Sequence, residues 1–124
     1  ILIVVPISGF TSIAGSTNLK GAAGQVAAKL NMIKQKAVSS SSLTELFCCS
    51  NTYKIRRLDI ASNVMKDESS ENLPKEITFD KTVTFRFSSS GFPQPGYFGT
   101  AVIKDAAGRS KKIIVSSLGR IRIE

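Results

Sequence analysis

The stretch Phe85-Arg86-Phe87-Ser88-Ser89-Ser90-Gly91-Phe92-Pro93-Gln94-Pro95-Gly96 leads, through two further apparent strands, into Ser116-Ser117-Leu118-Gly119-Arg120-Ile121-Arg122-Ile123-Glu124. Apolar residues alternate with polar ones at Phe85/Phe87, Ile113/Val115 and Ile121/Ile123, as strands with one face in a core and one in water require. Turn chemistry separates these pairs at Gly91, at Gly96, from Asp105 to Gly108 and from Ser116 to Gly119, where glycine supplies the positive φ that other residues adopt only with strain. The last third therefore reads as a β-meander that ends on an arginine-bearing strand.

The other end of the chain has the opposite character. Ile1 to Gly15 is apolar and uncharged, and it runs without a break into Leu19 to Val38. There, apolar residues fall at 19, 22, 23, 26, 30, 33 and 37, the spacing of one helical face that wants a partner. Lys20, Lys29, Lys34 and Lys36 lie largely off that face, and no acidic residue precedes Glu45. The opening run is shorter than the roughly 20 residues of a membrane-spanning helix. Pro6 and Gly9, together with Gly15, weaken it further and point to a kinked or partly melted segment when packed. With no basic residues ahead of it, the run does not read as a secretory signal peptide. It reads as the interior of an apolar segment whose first residues are missing.

A chain of 124 residues with 42% hydrophobic content fits one domain of ordinary composition. We divide it into an apolar stalk, 1–18, and a head, 19–124, made of a helix over 19–38 and a β-rich part over 43–124. The head alone is long enough to bury a core. The net charge of +8 is unevenly spread. Residues 1–42 hold four lysines and no acid, residues 43–80 hold five basic and seven acidic residues, and residues 81–124 hold eight basic and two acidic ones. The basic excess sits on the helix and the meander, while Lys66 to Glu71 reads as a solvated loop.

Elimination narrows the chemistry. Without any histidine, Ser/His and Cys/His nucleophiles are excluded, as is a zinc site of the usual kind. Cys48 and Cys49 are adjacent in an apolar strand and point to opposite faces, so they do not readily pair, and one is expected to be buried. Gly91 and Gly96 have the spacing of a phosphate loop, but Tyr97-Phe98 follows where Lys and Ser/Thr are needed. Asp59, Asp67, Glu68, Glu71, Glu76 and Asp80 read as solvated carboxylates with nothing to raise a pKa. We expect no enzyme, no cofactor and no metal.

An uncharged apolar N-terminus, an amphipathic helix and a small β-rich domain closing on a Gly-Arg strand together resemble the type IV pilin-like proteins, most of all the GspH/FimT group of minor pilins and pseudopilins. Ile1 to Val5 is similar to the interior of the pilin signature, Leu30 to Ser40 to the end of the long helix, and Phe85 to Gly91 with Val115 to Arg122 to the closing strands. The family's initial Phe and its Glu are not found here, so N-methylation is assigned to no residue. The resemblance implies an α+β pilin-like fold, with the N-terminal helix packed on an antiparallel β-sheet head. It also implies a structural subunit of a type IV pilus or a type II secretion filament, working in protein transport or uptake. Its expected location is the bacterial inner membrane and periplasm, or a cell-surface filament, with other pilin or pseudopilin subunits as partners and the inner membrane before assembly.

Ile1, Leu2, Ile3, Val4, Val5, Ile7, Phe10 and Ile13 are then the filament-assembly residues. Leu19, Ala22, Ala23, Val26, Leu30 and Ile33 pack under the sheet, and Gly21, Gly24, Ala27 and Ala28 join Ala22 and Ala23 in allowing a close approach. The resemblance further implies that Gly119-Arg120-Ile121-Arg122 holds double-stranded DNA. In that reading Arg120 and Arg122 share one strand face, Ile121 and Ile123 face the core, and Lys104, Arg109, Lys111 and Lys112 widen the patch by contacting phosphates. The alternative is a secretion pseudopilin at the filament tip that binds only other subunits and has no nucleic-acid role.

Overall fold

The structure, a computed structural model, describes residues 7–59 and 61–124, with side chains from Asn18 onward. The assembly positions Ile1 to Val5 lie outside the described residues, and the side chains of Ile7, Phe10 and Ile13 do as well. One helix, α1 (Ile7–Ser39), precedes eight strands: β1 (Thr44–Cys49), β2 (Thr52–Asp59), β3 (Val64–Asn72), β4 (Thr78–Phe79), β5 (Val83–Phe87), β6 (Gly99–Lys104), β7 (Ser110–Val115) and β8 (Ile121–Ile123). The architecture is α+β, as expected. The helix begins at Ile7, ahead of the expected 19–38, and is continuous through Gly9 and Gly15, while Pro6 lies outside the described residues. No helix among the described residues is long and apolar enough to cross a membrane.

The strands form two antiparallel sheets of four, ordered β3-β2-β1-β5 and β4-β6-β7-β8. The helix lies across both, touching β1 and β5 of one and β6, β7 and β8 of the other. Its apolar stripe falls where the spacing puts it: Leu19, Ala22, Ala23, Val26, Leu30, Ile33 and Ala37 are all buried. They meet Leu46, Cys48, Phe85 and Phe87 from the first sheet and Ala101, Ile103, Ile113 and Val115 from the second in one continuous core. Of the small residues expected to allow a close approach, Ala22 and Ala23 are fully buried. Gly21 and Gly24 instead face open space, with nothing within 4 Å of a Cβ placed on either.

The helix stops by a backbone device. Ser42 N–H donates to the Ala37 carbonyl at 3.1 Å and Ser41 N–H to the Val38 carbonyl at 3.2 Å. Ser41 takes a left-handed conformation with φ of 51°, which makes the pair a Schellman motif with serine where glycine is usual.

Two sequence expectations fail in the strands. Lys66 to Glu71 is not a loop but the middle of β3, paired along its length with β2. Its side chains are mostly exposed, so no apolar alternation marks it. Cross-strand ion pairs hold it instead: Arg56 Nε to Asp67 at 2.9 Å and Arg57 Nε to Glu68 at 2.9 Å. At the other end, Ile121 is partly buried against the core, but Ile123 is 41% exposed. The strand β8 is the edge of its sheet, and Ile123 pairs with Ile113 next to the end of that strand.

Candidate functional site

The second sheet and its turns place the six basic residues expected to contact DNA. On β6, Ala101 and Ile103 point into the core, so Val102 and Lys104 point out; on β7, Ile113 and Val115 point in, so Lys112 and Ile114 point out. Register places Val102 opposite Lys112 and Ile114 opposite Arg122. Lys104, Lys112 and Arg122 thus share the outer face of this sheet. Arg120 precedes β8 and is exposed, its carbonyl accepting from Ser116 N–H at 2.9 Å. Lys111 has the parity of the core face, opposite Ile103. Arg109 lies in the β6–β7 turn, where its Nε donates to Asp105 Oδ2 at 2.8 Å.

Carboxylates already meet half of this set. Lys104 pairs with Asp80 at 3.0 Å, Arg109 with Asp105 at 2.8 Å, and Arg122 with Glu124 at 3.1 Å. Lys111, Lys112 and Arg120 carry no ion pair among the described residues. Each existing pair is exposed on at least one side, so its strength is modest and falls with salt.

Of the six carboxylates read as solvated, Asp59, Asp67, Glu68, Glu71 and Asp80 have ion-pair partners, and Glu76 is exposed with none among the described residues. Asp59 receives Lys66 at 2.8 Å and the Ser62 hydroxyl at 2.9 Å, and these bonds hold its carboxyl below the usual range. Lys29 meets Glu71 at 2.6 Å, Lys36 meets Glu68, and Gln25 donates to the Tyr53 hydroxyl, all of which tie α1 to β2 and β3. Tyr53 is shifted up, first by its burial.

Sequence reasoning missed the most enclosed charge. Glu45, on the outer side of β1, is only 2% exposed. Arg86 on β5 donates to it from Nε at 2.9 Å and Nη2 at 2.7 Å, and Arg56 on β2 from Nη1 at 3.3 Å. The two guanidinium groups stack in turn on Tyr97 at 4.1 Å and on Phe47 at 4.4 Å. The cysteines behave as expected, with Cys48 buried, Cys49 half-buried and both free. Burial pushes the Cys48 thiol up to about 12. No group of three or more His, Cys, Asp or Glu side chains among the described residues could hold a metal ion.

These features describe surfaces and a packed scaffold. The chain matches no model of a known protein family, and no curated protein matches it in sequence. Its fold does match. A structure of the minor pseudopilin EpsH from the type 2 secretion system of Vibrio cholerae is 13% identical with a TM-score of 0.70, over 86% of this chain and 96% of that one. A second structure of EpsH is 11% identical with the same TM-score, over 86% of this chain and 93% of that one. At such identities the likeness is one of fold: this chain has the α+β fold of a minor pseudopilin.

Proposed function

We propose that the protein is a structural, non-enzymatic subunit, a minor pilin or pseudopilin, of a type II secretion filament or a related pilus. What supports the reading is the pairing of this fold with the uncharged apolar run of sequence from Ile1 to Gly15. An uncharged apolar segment of this kind is stable where protein or lipid surrounds it. The stalk, residues 1–18, would lie in the inner membrane before assembly and among the stalks of neighbouring subunits afterwards, with the head, 19–124, in the periplasm.

The test is sedimentation of the full chain produced in cells together with the other subunits of its own filament system. A filament subunit pellets with them, and loss of residues 1–18 releases it to the supernatant while the head keeps its fold. A full chain that stays monomeric under assembling conditions overturns the reading.

A DNA-contacting role is the finer reading. It is favoured by Arg120 and Lys112, which carry no ion pair among the described residues, and weakened by the carboxylates already on Lys104, Arg109 and Arg122. Duplex binding that falls with salt and is lost in Arg120→Ala/Arg122→Ala supports it. Absence of binding at low salt leaves a subunit that contacts only other subunits.

A further inference from the structure

Three segments distant in sequence meet beside the C-terminal end of α1. Lys34 Nζ donates to the Gly119 carbonyl at 3.0 Å, which ties the helix to the turn before β8. Gly119 and Gly91 are both buried and take φ of 87° and 88°. A Cβ on Gly119 would lie 3.4 Å from both the Gly91 carbonyl oxygen and Pro93 Cδ, and one on Gly91 would lie 3.0 Å from Val38 Cγ2. The loop after β5 and the turn before β8 therefore meet in close contact at the two glycines, and the helix end reaches them through the side chains of Lys34 and Val38.

Large apolar side chains around these glycines are nevertheless left in water, Val38 resting one methyl group against Gly91. Leu118 is 74% exposed, Phe92 54% and Val38 50%. A close-packed base that holds apolar side chains in water contributes nothing to the chain's own core through them. It is the form of a contact surface built ahead of its partner. The sequence carried a sign of it, since Phe92 and Leu118 each adjoin a turn glycine where polar residues are usual.

Charge says what the partner is. The helix, the segment 88–93 and the segment 116–120 contain no acidic residue, and the ionic groups beside the apolar trio are Lys34 and Arg120. We propose that this surface docks a segment of another protein that presents aliphatic or aromatic side chains flanked by carboxylates. A second copy is the poorer source of one: of the nine acidic residues every one except Glu76 already has an ion-pair partner within the chain. The inference rests on the subunit reading for where the partner is found, namely on a neighbouring subunit.

The test titrates the full chain into two labelled amphipathic helical peptides, one of leucine and glutamate and one with lysine at every glutamate position, read by fluorescence anisotropy at low salt. The acidic peptide binds and the basic one does not. Phe92→Ser, Leu118→Ser and Arg120→Glu each weaken binding about tenfold, the loss of one good contact. Thermal unfolding of the three variants matches the parent, because all three side chains are exposed. Equal binding of both peptides, no binding, or binding indifferent to the three variants overturns the proposal. So does self-association of the chain that Leu118→Ser abolishes, which would seat a second copy there. No filament forms in this titration, so its failure leaves the subunit reading intact, and failed sedimentation leaves the docking result standing.

Discussion

Arg86 holds Glu45 through two donors aimed at a single carboxylate oxygen, Nε at 2.9 Å and Nη2 at 2.7 Å, from strands whose residues are 41 positions apart. The carboxylate is nearly sealed from water, so its stability depends on these donors rather than on solvent. Removing one partner leaves a buried charge. Arg86→Ala is expected to lower the free energy of unfolding by about 3 kcal/mol. Arg56→Ala costs less, since Arg56 reaches Glu45 through one longer bond and divides itself with Asp67. The double change Glu45→Leu/Arg86→Met restores most of the loss. Urea denaturation of the variants, with m-values compared, checks the order.

Ser41 occupies the left-handed position that ends α1. A side chain there is strained relative to glycine, and the strain exceeds the extra entropy that glycine loses on folding. Ser41→Gly is expected to raise stability by about 0.5–1 kcal/mol, seen as a higher urea midpoint at unchanged slope.

Gly91 and Gly108 share the same backbone region but not the same surroundings. Gly108 has open space where a Cβ would go, whereas Gly91 meets Val38 Cγ2 at 3.0 Å. Gly108→Ala should cost about 1 kcal/mol, the conformational part alone. Gly91→Ala should cost clearly more, and Val38→Ala in the same chain should recover the difference. Thermal unfolding of the three variants decides it.

Cys48 ties stability to alkaline pH. Its thiol is raised from 9.0 to about 12 by burial, so the unfolded chain ionises first. The thiol's contribution is complete below pH 9 and is lost as pH rises from about 9 towards 12. Cys48→Ala removes that part of the pH dependence. At pH 8 a maleimide labels half-buried Cys49 readily and Cys48 only on unfolding, which mass spectrometry of the labelled peptides resolves.

Legibility in the sequence followed the range of the interaction. The buried stripe of α1 was readable because its partner face repeats every three or four residues, and Phe85/Phe87 and Ile113/Val115 because their neighbours alternate. The strand Val64–Asn72 was not, since it buries almost nothing and is defined by arginines on β2 that sequence order does not point to. Ile123 alternates correctly yet stays wet, because alternation states which face a residue takes and not whether anything covers that face. The basic residues of the tail were easy to find. Their division between the two faces of a sheet, and the carboxylates beside Lys104, Arg109 and Arg122, depend on register and on a turn three-dimensional structure alone supplies.

The helix lies over both sheets at once, while the chain crosses between the sheets after β3, after β4 and after β5. A pull along the axis of α1 is therefore resisted in shear by the whole row from Leu19 to Ala37 and passed to two sheets in parallel, and neither sheet can peel away while the other holds. Tension entering at the N-terminal end of the helix would meet one mechanical unit, which yields all together or not at all.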